Sequence, residues 1–292
     1  MQQPSLGIIG GSGLYNLGSL SQVEIIDIET PWGRPSDAVR VGQIDGHPVA
    51  FLSRHGAGHR LSPSEVPYAA NVCALKMLGV TTLVSISAVG SLREELRPRS
   101  FVVPDQTIDR TVGRRRSFFD DGVVAHVSMA DPFCPELSAA LAAHAQAGEL
   151  PVSRGGTYVA IEGPQFSTRA ESALFRSWGA SVIGMTALPE ARMAREAELC
   201  YACLAMVTDY DVWHEQEGPV TVEGVLANLR AMTEAVQAIV TSLASAPEHE
   251  CRSGCRDALA NAIATDPRVV TPATRSRLSP IAGRYLRPEF SE

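Results

Sequence analysis

Several things are scarce or missing in this chain. No apolar run approaches the roughly 20 residues needed to span a bilayer. The opening MQQPSLGIIGG carries neither a positive n-region nor a cleavage site, so no secretory leader is expected. Positive charge is in deficit: 25 Lys and Arg against 32 Asp and Glu give a formal net charge of −7. That argues against non-specific nucleic-acid binding, but not against a small anion held by a few local cations. Six cysteines in 292 residues are too few for a disulfide scaffold. Cys73, Cys134, Cys200 and Cys203 lie in apolar surroundings and read as small buried hydrophobes. The CxxC of Cys200 and Cys203 reads as a helix running into a strand. Cys251 and Cys255, in ECRSGC, could pair or do nothing. A zinc site there would need two further ligands at suitable spacing, and none is near in sequence. No metal and a reduced, cytoplasmic setting are therefore expected. The common nucleotide fingerprints are missing too. The sixth position from Gly11 is Asn16, which breaks GxGxxG, and no Gly-Lys-Ser/Thr occurs.

The composition that remains is ordinary for a globular protein, with 45% hydrophobic and 20% charged residues. Apolar runs at 6–9, 49–52, 83–86, 158–161, 182–183 and 204–207 read as buried strands. Helical patterns lie between them at 66–78, 135–147, 168–177, 189–199 and 221–243. Thr168 and Glu171 have capping-box spacing, and Pro189 suits a first turn. Residues 23–28 and 38–44 alternate, as an antiparallel excursion would. The pattern predicts a single α/β domain over 1–245, with a central mixed, mostly parallel sheet flanked by helices. Composition shifts near Ala246. A C-terminal extension, 246–292, is expected to be helical at 256–265 and otherwise flexible or packed on a neighbouring subunit.

Six segments could carry chemistry. GIIGGSGLY ends a strand in glycines and Ser12, which suits a nest of N–H donors around an oxyanion and equally a tight turn. SRHGAGH follows the next strand. Arg54 offers a planar fork of donors suited to phosphate, and His55 a donor whose charge depends on pH. SISAVGSLREEL places Ser87, Ala88, Val89 and Gly90 at a strand end, where small residues let backbone approach a ligand. In AIEGPQFSTRAES, Phe166 could stack on a flat base or simply fill the core. VIGMTALPEA offers the Thr186 hydroxyl, with Met185 against a sugar or in the core. In AMVTDYDVW, strand alternation would put Asp209 and Asp211 on one side of the chain. There one carboxyl can be raised enough to act as a proton donor. Together these groups suit an anion site beside a site for a planar heterocycle.

In order, GIIGGSGLY, LSRHGAGH, SAVGSLREEL, IEGPQFSTRAES, GMTALPEA and TDYDVW resemble the S-methyl-5′-thioadenosine phosphorylases, of the trimeric purine nucleoside phosphorylase group, over residues 5–245. The resemblance implies a nucleoside phosphorylase fold and reversible phosphorolysis, with inorganic phosphate as co-substrate and no cofactor. It implies that Ser12, Arg54, His55, Ser87, Ala88 and Thr186 hold phosphate. Met185 would lie under the ribose, Phe166 would stack on the base, and Val89 and Gly90 would line the nucleoside site. Asp209 and Asp211 would face the purine N7 and amine as the catalytic pair. Ser167 and Asp209 stand where 6-oxopurine members carry Glu and Asn, which favours adenine. Val220, Val222 and Val225 would form the 5′ pocket. His126 would reach a neighbour's site in a homotrimer. Gly184 stands where some members have asparagine. The nearest alternatives are a phosphorylase for other 5′-substituted or 5′-deoxy adenosines and, more distantly, a 6-oxopurine enzyme. A non-catalytic nucleotide-binding protein on the same fold is the alternative of another class.

Overall fold

Successive residues of a strand point to opposite faces, and in this chain both faces are apolar. Along one strand Tyr201, Cys203, Ala205 and Val207 enter one core, while Cys200, Ala202, Leu204 and Met206 enter the other. Such two-sided strands suit a sheet covered by helices on both faces, and the computed structural model has that form. It describes residues 3–12, 14, 17–215 and 220–287. Gly13, Tyr15 and Asn16 of the glycine loop and 288–292 of the tail lie outside the described residues.

The strands are β1 Leu6–Gly10, β2 Ser21–Ile26, β3 Val39–Ile44, β4 His47–Ser53, β5 Thr82–Ser91, β6 Phe101–Val103, β7 Gln106–Arg110, β8 Val152–Arg154, β9 Thr157–Ile161, β10 Val182–Gly184 and β11 Cys200–Asp209. The helices are α1 Tyr68–Met77, α2 Pro135–Gln146, α3 Arg169–Ser177, α4 Ala187–Glu196, α5 Val222–Ala244 and α6 Pro272–Ala282. Sheet order runs β2-β3-β4-β1-β5-β10-β9-β7, and β11 pairs with the other edge of β5 and with β6. β1 is parallel to β4 and β5, and β11 is parallel to β5. β2 and β3 are antiparallel, as their alternation predicts. Helices α1, α4 and α6 cover one face, and α2 and α5 the other. No helix among the described residues is long and apolar enough to cross a membrane.

Local signals act as expected at two helix starts. Thr168 and Glu171 form a reciprocal capping box on α3. In α4, Leu188 is extended, so the regular turns run from Pro189. The extension behaves differently from its reading. No helix spans 256–265; a short 3₁₀ turn, Cys255–Asp257, is followed by turns. Tertiary partners take its backbone groups: Glu198 accepts from the Leu259 N–H, Ala262 from the His126 N–H, and Val124 from the Ala264 N–H. Such contacts override the helix propensity of alanine. The helix comes later, as α6, with Thr271 as N-cap and proline in its first turn. Leu259, Val270, Leu278, Ile281 and Leu286 pack into the chain's own core.

The cysteines also differ from their reading. Cys134, Cys200, Cys251 and Cys255 converge, with all four sulfurs within 4.8 Å of one another. The further thiols that were not to be found near Cys251 in sequence come from the start of α2 and the start of β11, because folding, not spacing, sets the distance.

Leu278 is fully buried. Leu278→Ala is therefore expected to cost about 2–5 kcal/mol, the range for large-to-small changes in a core. Urea unfolding would measure this; a loss below about 0.5 kcal/mol would mean that α6 is dispensable to the domain.

Candidate active site

The sheet divides at β5. On one edge, β1 stops opposite Ile86, and the antiparallel β10 pairs only with Gly90 and Ser91, through Ile183 and Val182. Ser87, Ala88 and Val89 therefore have no strand beside them there. Backbone donors and acceptors free at the carboxyl end of a parallel strand are where ligands of open α/β sheets bind. Gly11, just past β1, donates its N–H to the Ile86 carbonyl at 2.9 Å. A Cβ at Gly11 would lie 2.7 Å from that oxygen and 2.8 Å from Arg54 Nη1. The loop therefore needs glycine here because it is pressed onto β5 and a guanidinium.

Arg54, just after β4, is completely buried. Its Nε and Nη2 donate to Glu190 at 2.8 and 3.0 Å, Nη2 also to Ser85 Oγ at 2.7 Å, and Nη1 to the Ile86 carbonyl at 3.1 Å. Four of the five guanidinium protons are thus engaged. Burial alone would lower its pKa, but the Glu190 carboxylate outweighs that and keeps the charge in place. This corrects the sequence reading of Arg54 as a free fork: the fork closes on Glu190, and one Nη1 proton beneath Gly11 remains. Ser85 Oγ lies 3.4 Å from Ser87 Oγ, which lies 3.2 Å from Thr186 Oγ1. Thr186 is the N-cap of α4, yet its hydroxyl caps nothing. Ser12 follows Gly11 and is half-buried. Arg54, Ser87 and Thr186 are thus brought together, with Gly11 over them.

His55 is nearly buried, and its Nδ1 lies 2.9 Å from the Leu61 carbonyl. A carbonyl only accepts, so Nδ1 carries the proton and Nε2 is left as an acceptor. Burial, and then the Arg54 charge, lower its pKa to about 4. In place of the pH-dependent donor expected near neutrality, the site holds a neutral imidazole.

Asp209 ends β11, and a Cβ on Gly90 would lie 2.8 Å from its Oδ1. Strand alternation does not pair it with Asp211. The chain turns at Asp211, with φ of 51°, and the Asp211 N–H donates to Asp209 Oδ1 at 2.8 Å. Burial raises both carboxyls above their ordinary range. The Thr208 hydroxyl lies 2.7 Å from Asp209 Oδ2 and 3.2 Å from the Val89 carbonyl. The Thr208 bond opposes part of the rise that burial causes in Asp209. Asp211 Oδ2 and Ser167 Oγ are buried without hydrogen-bond partners among the described residues.

Met185 presses its sulfur on Gly163, where a Cβ would lie 2.4 Å away. Gly184 has no room for a side chain: its Cβ would meet the Tyr158 hydroxyl at 2.0 Å. Asparagine at that position would require Tyr158 to change. Phe166 is 41% exposed, so it is not core. Val225 packs on the core under α5, but Val222 is 65% exposed. Val220 is half-buried, and 216–219, just before it, lie outside the described residues. His126 is exposed.

Several positioning groups carry no mark in the sequence. Glu190 is a buried acid at a helix start, where exposed acids are common. Arg114 is one of three consecutive arginines, yet it alone of the three is buried, donating to the Met185, Leu188 and Glu162 carbonyls. Asn228 of α5 donates to the Thr208 carbonyl at 2.7 Å and so fixes the end of β11. Glu190→Ala would leave Arg54 charged and unpaired, at an expected cost of about 3–5 kcal/mol. Chemical denaturation checks this; an unchanged midpoint would show that the pair holds nothing together.

The model of the phosphorylase superfamily matches residues 5–245. An S-methyl-5′-thioadenosine phosphorylase of Chloroflexus aurantiacus is 53% identical over 286 residues, covering 98% of this chain and 99% of its own. The crystal structure of a methylthioadenosine phosphorylase from an antarctic soil metagenomic library superposes with a TM-score of 0.88 at 46% identity, covering 96% of this chain and 99% of that one. A methylthioadenosine phosphorylase from Schistosoma mansoni in complex with adenine matches with a TM-score of 0.80 at 37% identity, over 83% and 91%. With its divided β5 and the hydroxyls and carboxyls gathered there, the chain belongs to the S-methyl-5′-thioadenosine phosphorylase family of the phosphorylase superfamily.

Proposed function

We propose that the chain catalyses reversible phosphorolysis of S-methyl-5′-thioadenosine, giving adenine and 5-methylthioribose 1-phosphate. The observation that carries this is the pairing, across one strand end, of a hydroxyl cluster with a raised carboxyl. Phosphate sits on the opened edge of β5, held by Ser12, Ser87 and Thr186 hydroxyls, the Ala88 backbone and the remaining Arg54 proton. Neutral His55 accepts from a protonated phosphate oxygen. Met185 lies under the ribose, and Val89, Gly90 and Phe166 face the nucleoside. As the C1′–N9 bond breaks, positive charge grows on the sugar and a phosphate oxygen bonds to C1′. The electron pair leaves with adenine, and protonated Asp209 donates to N7. Asp211 Oδ2, without a partner, accepts from the 6-amino group.

Inorganic phosphate is the nucleophile, so the step needs no cofactor. Ser167, with Val220, Val222 and Val225, sets base and 5′ specificity. Exposed His126 completes a neighbour's site in a cytoplasmic homotrimer. Adenosines with other 5′ groups are the second reading, favoured by the exposure of Val222.

Release of adenine from methylthioadenosine is expected to require phosphate, which chromatography with and without phosphate checks. Inosine cleaved faster than the adenine nucleosides would overturn the assignment of Asp209. The relative kcat/KM of methylthioadenosine, adenosine and 5′-deoxyadenosine separates the two readings. Asp209→Asn is expected to lower kcat by about 10²–10⁴, the range for a lost general acid. Because its pKa is raised, protonated Asp209 persists above the ordinary carboxyl range and is lost as pH rises through that value. A falling alkaline limb in kcat against pH is therefore expected in the native chain and not in Asp209→Asn.

A further inference from the structure

At the far end of β11 from Asp209, the chain's last segment changes sides. After α5 it lies on the core shared with α2, through Cys251 and Cys255. From Leu259 onward it lies on the opposite core, with α1 and α4. The crossing occurs where β11 begins, and there the four thiols meet. Cys134 is the N-cap of α2, and Cys200 is the first residue of β11. Cys251 and Cys255 flank the bend of the extension. Strand parity explains why the CxxC is not the pair it resembles: Cys203 points into the other core.

We propose that Cys134, Cys200, Cys251 and Cys255 bind one zinc ion as a closed structural site. All four cysteines are free and three are buried. Their sulfurs lie within 4.8 Å of one another. A tetrahedral Zn–S4 centre with bonds of about 2.3 Å has S···S edges of about 3.8 Å, so small inward shifts complete it. Packing alone readily makes two apolar thiols neighbours, but here four of the six cysteines come from three separate parts of the chain to one point. The surroundings suit an anionic tetrathiolate. Arg256 lies beside Cys200 with its Nε–H buried and lacking an acceptor among the described residues. His249 Nε2 lies 3.9 Å from the Cys134 sulfur. The Cys134 thiol donates to Glu136 at 3.4 Å, a bond given up when the metal takes the place of that proton, and Ser253 remains as a donor to the same carboxylate. With four protein ligands the site has no open position for substrate, which makes it structural. The nine steps of β11 from Cys200 to Asp209, at about 3.3 Å each, put it roughly 30 Å from the carboxyl pair. Its work is to staple the extension, at its crossing, to the start of β11 and α2.

The full-length chain, purified under reducing conditions without chelators, is expected to hold one zinc per chain by plasma mass spectrometry. Denatured with chelator, it should then titrate six free thiols. Reconstitution of the stripped chain with Co²⁺ alone should give thiolate-to-cobalt charge-transfer absorption and tetrahedral d–d bands. Cys255→Ser should retain zinc at least 10-fold more weakly and melt lower, with kcat for phosphorolysis unchanged. Two free thiols instead of six would mean two disulfides among the four and would overturn the proposal. So would six thiols with neither Zn²⁺ nor Co²⁺ retained after reconstitution. Should Cys255→Ser fail to fold, the metal count and the cobalt spectrum of the native chain decide the matter.

Discussion

The buried ion pair between Arg54 and Glu190 is the constraint on which the site rests. Both side chains are fully enclosed, and a lone charge in such a place would cost several kcal/mol. The pair therefore forms only if β4, β5 and α4 meet in one arrangement. Arg54 brings the end of β4, Ser85 and Ile86 belong to β5, and Glu190 opens α4. Tyr201 of β11 adds its hydroxyl to Glu190 at 2.9 Å. Four elements are thereby registered at one point, and Gly11 closes over it because no side chain could. Ser87 and Thr186, from β5 and the α4 cap, come together as a consequence.

The second half of the site depends on how β11 ends. Its last residue, Asp209, is fixed by the Thr208 hydroxyl and the Asp211 N–H, and Asn228 ties Thr208 to α5. The Trp213 indole N–H donates to the Ser91 carbonyl, so the turn after Asp211 is bound back to β5. Arg176 of α3 lies over the Trp213 ring at 3.5 Å, a cation–π contact that holds α3 to the same turn. The two carboxyls are thus buried on a supported turn, and burial is what raises them. On the reading proposed above, an acid that has to deliver a proton stands where charging it is costly.

How much of this is legible in the sequence follows from range. The two-sided strands, the capping box on α3 and the glycine turn after β1 are local or periodic patterns, and they can be read directly. The residue types at the strand ends can be read too, because small and hydroxyl-bearing residues after apolar runs are unusual. Arg54 shows the limit. Its type suggests an anion, but the anion it holds is Glu190, 136 residues away. Arg114 cannot be told from Arg115 and Arg116 without knowing which faces inward. The alanine-rich stretch after Cys255 has helical propensity and no helix, because Glu198 and residues 124–126 claim its backbone. The four cysteines fail as a motif for the same reason: Cys200 and Cys203 are close in sequence and face apart, while Cys134 and Cys255 are distant and adjacent.

The charge balance of the site has a consequence for catalysis on the reading proposed here. Arg54 is neutralised by Glu190 and His55 is held neutral by burial. The phosphate would then be gripped mainly by hydroxyl and amide dipoles, which fix its position without cancelling its charge. A fully compensated phosphate would offer little to a sugar that becomes cationic as its bond to the base breaks. An uncompensated one, beneath the ring in a water-poor site, is attracted far more strongly to the transition state than to the neutral nucleoside. That difference, and not tight binding of either substrate, lowers a barrier. On this reading the Arg54–Glu190 pair would serve two ends: it locks the strands in register, and it offers the phosphate one guanidinium proton in place of an unpaired positive charge that would have stabilised the ground state as well.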